Sequence, residues 1–408
     1  MSRAGLHPRL PALAVRRRLL KLCGALPLAL GLGAANAAGA AACPAEDWPL
    51  YQTFLQRFVQ ADGRVVDFSV AQLQTTSEGQ SYGMLFALVA NDPATFGRLW
   101  QWSVANLAGG DVASRLPAWQ WGRRPDGSWG VLDPNAASDA DLWMAYALLE
   151  AARLWRRPEY AQNARTLMAR IALDEVADLP GLGKMLLPGP TGFAHPDMLW
   201  RLNPSYAPIP LLRRLAQEDP QGPWQAIAAN TARMIAQVSP QGYAADWVAY
   251  KSPDGATGAF VADPEKGDLG SYDAIRVYMW AGMMPPSDPL AGPLLKTLSG
   301  MVGATAPTGL PPEKVQVLSG AVSGVGPVGF SAALLPYFQR SGQTRLYEQQ
   351  RQRVQTQLIA PAGPAQPPYY DYVLGLFGSG WAEQRYRFLP SGRLQSRWEK
   401  ACPRATTR

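Results

Sequence analysis

Histidine and cysteine are scarce in this chain, at 2 and 3 residues. His7 lies in the leader-like start, which leaves His195 alone. A zinc site or a histidine-dependent triad needs partners. With no HExxH and no paired-cysteine motif, His195 reads as structural. Neither a GxxxxGK[ST] loop nor a dinucleotide fingerprint is present, which removes the usual phosphate cradles. After residue 42 no run is apolar enough to cross a bilayer, so no transmembrane segment is expected once the start is removed. One-sided charge is missing too. The net charge is +7, but Arg3, Arg9, Arg16, Arg17, Arg18 and Lys21 precede residue 43 and no acid does. Taking these six from 38 basic residues leaves 32 against 31 acidic ones, a nearly neutral body. Nucleic acid is a poor partner for such a surface.

The basic start has another reading. A positive segment, an apolar run from Leu22 to Leu32 and small residues at Ala35-Asn36-Ala37 form a secretory signal over residues 1–42, cleaved between Ala37 and Ala42. Arg16-Arg17-Arg18-Leu19-Leu20-Lys21 also resembles a twin-arginine export signal. The mature protein is therefore expected in the periplasm or outside the cell. Cys23 leaves with the signal, and Cys43 and Cys402 remain at opposite ends. In an oxidising compartment these two form one disulfide, or else stay as two free thiols.

What the chain does have is aromatic and aliphatic material: 14 Trp, 15 Tyr, 11 Phe and 47% hydrophobic residues, enough for a large core. Helical spacing is read at Trp48–Gln60, from Thr75, at Phe96–Leu107, from Asp139 to Trp155, and at Tyr160–Val176. It resumes at Pro223–Val238, Tyr272–Met283, Leu290–Val302, Phe330–Gln339 and Tyr369–Phe377. Gly- and Pro-rich loops lie between, and little reads as strand at period two. Residues 43–408 are expected to form a single all-α domain with elaborated loops at one end.

Carboxylates stand at several helix starts. Ala137-Ser138-Asp139-Ala140-Asp141 opens a long apolar helix, with Ser138 and Asp141 spaced as a capping box, so Asp139 is to spare. Glu78 sits before another apolar run with Tyr82 one turn on. Gly79 and Gly83, each costing roughly 1 kcal/mol in a helix, imply a close approach to the backbone there. Asp273 begins a third helix with Arg276 on the same face, a pair able to orient a carboxylate for base catalysis. As plain structure, the acids at 78 and 139–141 would simply favour the helix dipole, and Asp273–Arg276 would be a surface ion pair.

Together these segments resemble glycoside hydrolase family 8. Ala-Ser-Asp-Ala-Asp at 137–141 running to Trp155 looks like its signature. Thr-Ser-Glu-Gly-Gln-Ser-Tyr-Gly-Met at 76–84, Asn-Pro-Ser-Tyr at 203–206 and Ser-Tyr-Asp-Ala-Ile-Arg-Val-Tyr at 271–278 match its other landmarks in order. The likeness is greatest to the periplasmic endoglucanases encoded with bacterial cellulose synthase, with Gly-Pro-Val-Gly-Phe-Ser at 326–331 and a cysteine near each end.

The resemblance implies an (α/α)6 barrel with a groove at one end, and endo-acting hydrolysis of β-1,4-glucan with inversion. Glu78 would protonate the leaving oxygen, Asp273 would deprotonate water, and Asp139 would lie against the sugar at the cleavage point. Glu78 and Asp273 should then lie roughly 6.5–9.5 Å apart. No metal or cofactor is required, and the implied partners are cellulose and the cellulose synthase or export complex. Arg276 and Tyr272 are assigned to support of Asp273. Trp119, Trp121, Trp200, Tyr206, Tyr370 and Tyr372 are candidate sugar platforms, whereas Trp100, Trp143, Trp155 and Trp280 are read as core. Xylan, chitosan or mixed-linkage glucan remain alternative substrates, and a non-catalytic cellulose-binding accessory is the alternative from another class.

Overall fold

Proline sets several helix starts, where its missing N–H removes a donor that would be unpaired in any case. Pro49, Pro93 and Pro158 open helices α1 (Pro49–Phe58), α3 (Pro93–Asn106) and α5 (Pro158–Asp174), while α2 (Ser77–Val89) and α4 (Ser138–Trp155) begin at serines. The computed structural model describes residues 43–360 and 367–401. The expected signal segment and Cys402 lie outside them. Cys43 is buried and disulfide-bonded.

The chain continues through α6 (Ile209–Glu218), α7 (Trp224–Gln237), α8 (Ala274–Met283), α9 (Ala291–Thr297) and α10 (Gly300–Thr305). Then come α11 (Val328–Arg340), α12 (Thr344–Val354), α13 (Tyr369–Ala382) and α14 (Arg397–Ala401). Two populations separate by burial. Helix α8 is buried at every position, and α2, α4, α11 and α13 nearly so. A helix apolar all round belongs inside. By contrast α5, α7 and α12 bury one stripe each. Inner α2, α4, α6, α8 and α11 each pack on the helix that follows, and α1 packs on α13. The fold is an (α/α)6 barrel. Its ring closes where Phe377 of α13 meets Tyr82 and Phe86 of α2 at 5.2 and 4.9 Å between ring centres. Trp143, Trp280 and Phe377 fill the centre, with Trp143 5.4 Å from Trp280 and 5.3 Å from Phe377. The barrel is therefore plugged, and inner helices meet the surface only at their ends.

Close helix approach uses glycine where a side chain would collide. A Cβ on Gly378 would lie 1.8 Å from the Ala332 carbonyl oxygen of α11, and one on Gly79 would lie 2.6 Å from the Tyr369 hydroxyl. The latter is the close approach that Gly79 implied.

Several expectations are corrected. The stretch 290–302 is two short helices rather than one, because Gly300 packs on the 241–242 backbone and its N–H donates to Gly242 O at 3.0 Å. Helices α6 and α12 went unread. Five small antiparallel sheets occur among the described residues, including the hairpin Gln120–Arg123/Trp129–Asp133 and a four-stranded sheet spanning 194–262. The Ser138/Asp141 capping box does not form. Ser138 is already inside α4, its N–H donates to Pro188 O at 3.0 Å, and neither side chain caps the helix.

A buried ion cluster ties the barrel together far along α4. Glu150, with 0% of its side chain exposed, accepts from Arg153 at 2.7 Å, Arg214 of α6 at 2.7 Å and the Leu394 backbone at 3.0 Å. Removing it takes the fully buried carboxylate from two guanidinium groups, leaving Arg153 with Glu399 and Arg214 with Glu218 at 3.3 Å. Glu150→Ala should lose about 3–5 kcal/mol of unfolding free energy in denaturant titration, and a loss under about 1 kcal/mol would contradict this role.

Candidate active site

At the mouth of α2, Thr76 Oγ1 accepts the Gly79 N–H at 3.1 Å and so fixes the first turn, which carries Glu78. The Ser77 hydroxyl donates to Glu78 Oε2 at 3.3 Å. Glu78 is half-buried. Desolvation of its carboxyl, reinforced by the neighbouring Asp139 charge, pushes its pKa up to about 8. A carboxylic acid that keeps its proton at neutral pH is suited to donate it.

Asp139, in the first turn of α4, is 1% exposed. Tyr82 OH donates to its Oδ2 at 3.2 Å, and the Ala140 N–H to its Oδ1 at 2.9 Å. Burial lifts it to about 6 against the opposing pull of Arg276, whose Nη2 is 4.0 Å away.

Asp273 stands at the N-cap of α8, its side chain 29% exposed. Arg276 Nη2 donates to Oδ1 at 2.8 Å and Trp247 Nε1 to Oδ2 at 3.1 Å, so both oxygens are oriented. The start of α8 is capped by Asp246, which accepts from the Ser271, Asp273 and Ala274 N–H groups at 2.7, 3.1 and 2.7 Å. Burial nevertheless pushes Asp246 up to about 6. Arg276 is 8% exposed, so it is no surface ion pair. Its Nη2 also donates to Ser205 Oγ at 2.9 Å, and Ser205 is fixed by Asn203 at 2.7 Å, which places the 203–206 motif under the guanidinium. One arginine thus links two of the three acids, and the third is within electrostatic reach.

The sequence profile described as Glycosyl hydrolases family 8 matches residues 27–384. An Endoglucanase of Pseudomonas fluorescens (strain SBW25) is 51% identical over 383 residues, covering 91% of this chain and 96% of its own. The Endoglucanase of Escherichia coli (strain K12) is 45% identical over 355 residues, covering 87% and 92%. The crystal structure of endo-1,4-D-glucanase from Vibrio fischeri ES114 superposes with a TM-score of 0.78 at 40% identity, covering 86% of this chain and 99% of that one. The chain belongs to glycosyl hydrolases family 8.

Around this family 8 site the aromatic candidates divide. Tyr206 lies under Arg276 at 5.8 Å and 6.1 Å from Trp247, and the nearby Asp139 and Glu78 charges reinforce the upward shift that burial gives its hydroxyl. Half-buried Trp119 takes the Ser77 N–H on its carbonyl at 2.9 Å, beside Glu78. Trp121 stacks on Trp129 at 5.4 Å, with Arg64 4.5 Å over its ring. Tyr370 OH donates to Tyr272 O at 2.6 Å, within reach of Arg276. Tyr272 does not touch the Asp273 carboxyl as expected. Its ring is 45% exposed against Phe330 at 5.1 Å, so it forms rim rather than support. Trp200 is on a strand against Tyr250 at 6.3 Å. Tyr372 is 1% exposed, bonded by Arg57 at 3.0 Å and packed on Phe58, which makes it core. Trp100, Trp143, Trp155 and Trp280 are buried as read.

Asp246, Trp247 and Phe193, which stacks on Trp247 at 5.9 Å, were missed. They sit in or beside strands too short to announce themselves. A Trp beside an Asp at 246–247 was the only available signal.

The raised Glu78 has a stability signature. Between its ordinary 4.5 and about 8 the folded state binds more protons than the unfolded one, so this group costs stability as pH rises through that window. Glu78→Gln cannot titrate. Its melting temperature should match wild type near pH 4.5 and exceed it increasingly up to about 8, in a thermal-melt series against pH. Parallel curves would contradict the shift.

Proposed function

We propose that this chain is an exported endo-β-1,4-glucanase that cleaves internal bonds of cellulose with inversion and trims the polymer during its synthesis and export. The observation that carries the reading is the division of labour among three acids from separate helix starts. Glu78 holds its proton to about 8, while Asp273 is charge-paired with Arg276 and leaves part of its surface open.

In the reaction, water oxygen bonds to the anomeric carbon as the carbon–oxygen bond to the leaving sugar breaks. Asp273 takes the proton of the attacking water, and Glu78 gives its own to the leaving oxygen. Solvent then restores both. Asp139 faces the sugar ring at the cleavage point and, by repelling a negative charge, helps keep Glu78 protonated. Trp119, Trp121, Trp129, Tyr206, Trp247 and Tyr272 supply flat apolar faces for glucose rings, with hydroxyl edges left to the polar groups between them. No helix among the described residues is long and apolar enough to cross a membrane. The leader-like residues 1–42 support passage to the periplasm, where the synthase and export complex would be the partner.

Glu78→Gln and Asp273→Asn should each lower kcat on carboxymethyl-cellulose by about 10²–10⁴-fold or more, with native circular dichroism. Normal turnover in either variant would remove its role. Proton NMR should show the first product released as the α anomer, and a β product would overturn inversion. Cellulose derivatives should be cut faster than xylan, chitosan or mixed-linkage glucan in one hydrolysis panel. Preference for another polymer would overturn the substrate assignment.

A further inference from the structure

Behind Asp139 lie two carboxyls that the reaction does not use. Asp141, in the first turn of α4, and Glu175, just past α5, are both 0% exposed. No N–H or O–H donor reaches any of their four oxygens among the described residues. The two carboxyls face each other, and after burial each is the strongest electrostatic influence on the other. The charged groups that face them are Asp139 of α4, Glu78 of α2 and Asp174 of α5, all acidic. No cation is among the groups that act most strongly on the pair; Arg170 pairs with Asp174 and Arg276 with Asp273 and Asp139 through their Nη2 atoms, and the buried Nε of each has no partner.

Two ionised carboxylates only accept, so they cannot bond one another, and their repulsion in a dry setting is severe. One proton between them turns the contact into a charge-assisted O–H···O⁻ bond. We propose that Asp141 and Glu175 share a single proton and act as a buried positioning pair, which seats the start of α4 and adds one negative charge behind Asp139 that helps hold the proton on Glu78. This rests on the reading of Glu78 as the proton donor.

Burial lifts both acids, the direction that a proton held between them requires. The backbone joins the same two segments. Leu187 N–H donates to Glu175 O at 2.8 Å and Ser138 N–H to Pro188 O at 3.0 Å. The pair thus fastens the first turn of α4 to the 175–188 segment, two residues from Asp139.

Amide substitutions separate charge from shape. Asp141→Asn donates to an ionised Glu175, and Glu175→Gln donates to an ionised Asp141, so each single variant keeps both the bond and one negative charge. The double variant keeps an amide–amide bond and has no charge. On carboxymethyl-cellulose, each single variant should leave the upper limb of the kcat/KM–pH profile where it is. The double should move that limb down by roughly half a pH unit. A shift in both singles would mean two independent charges, and an unmoved limb in a folded double would mean none. Either result overturns the proposal.

Infrared difference spectra in the Glu78→Gln background test the proton separately, because Glu78 contributes no acid signal there. At neutral pH a carboxylic-acid C=O stretch should be lost on adding either Asp141→Asn or Glu175→Gln. Spectra unchanged in that region overturn the shared proton even if the double variant does not fold. If Glu78 is not the donor, Glu78→Gln stays active while the infrared result stands, so the two failures are distinguishable.

Discussion

One buried guanidinium serves more carboxyls than it can neutralise. Arg276 bonds Asp273 at 2.8 Å and lies 4.0 Å from Asp139, with Glu78 close enough to feel it. Water would ordinarily make up such a deficit, but Arg276 and Asp139 are nearly sealed from solvent. The site therefore settles the imbalance with protons. Glu78, the acid farthest from cationic help, keeps one up to about 8, while Asp273 is the acid bonded directly to the arginine. In the proposed mechanism the acid and base roles would follow from that inequality rather than from any intrinsic difference between aspartate and glutamate.

The barrel makes the inequality possible. Its inner helices are largely apolar and its axis is filled by Trp143, Trp280 and Phe377, so the acids of the site stand where helices begin, apart from the Glu150 cluster farther along α4. Helix starts also carry free N–H groups that draw carboxylates. Thr76 and Asp246 take over that capping at α2 and α8, which frees Glu78 and Asp273 for other work. At α4 no side chain caps the helix; the backbone hydrogen bond from Ser138 N–H to Pro188 O holds its start to the following segment instead, with Asp141 facing Glu175 beside it.

Much of this was legible in the chain. Glu78, Asp139, Asp273 and Arg276 were found because apolar helices with an acid at the mouth are easily read, and four ordered motifs named the family before any geometry. The rest was hidden for physical reasons. Helix α12 buries Leu346, Gln350 and Val354, a stripe whose middle member is polar and is spent on Ser331 and Gly309. Helix α6 starts among prolines and looked like more loop. Strands of two to five residues show no period. Tyr369, Tyr370 and Tyr372 share one helix, and only their neighbours reveal that Tyr370 turns to the site while Tyr372 turns to Phe58. Ser138 and Asp141 had capping-box spacing, but the helix began one residue too early for Ser138 to cap it.

The direct test of the charge deficit is the Glu78 carboxyl itself. With glutamate labelled at the side-chain carboxyl carbon and Glu78→Gln used to assign the resonance, carbon NMR should follow its titration in the folded protein. The account predicts a midpoint near 8. A midpoint at the ordinary 4.5 would show that the site is not short of positive charge and would contradict the account.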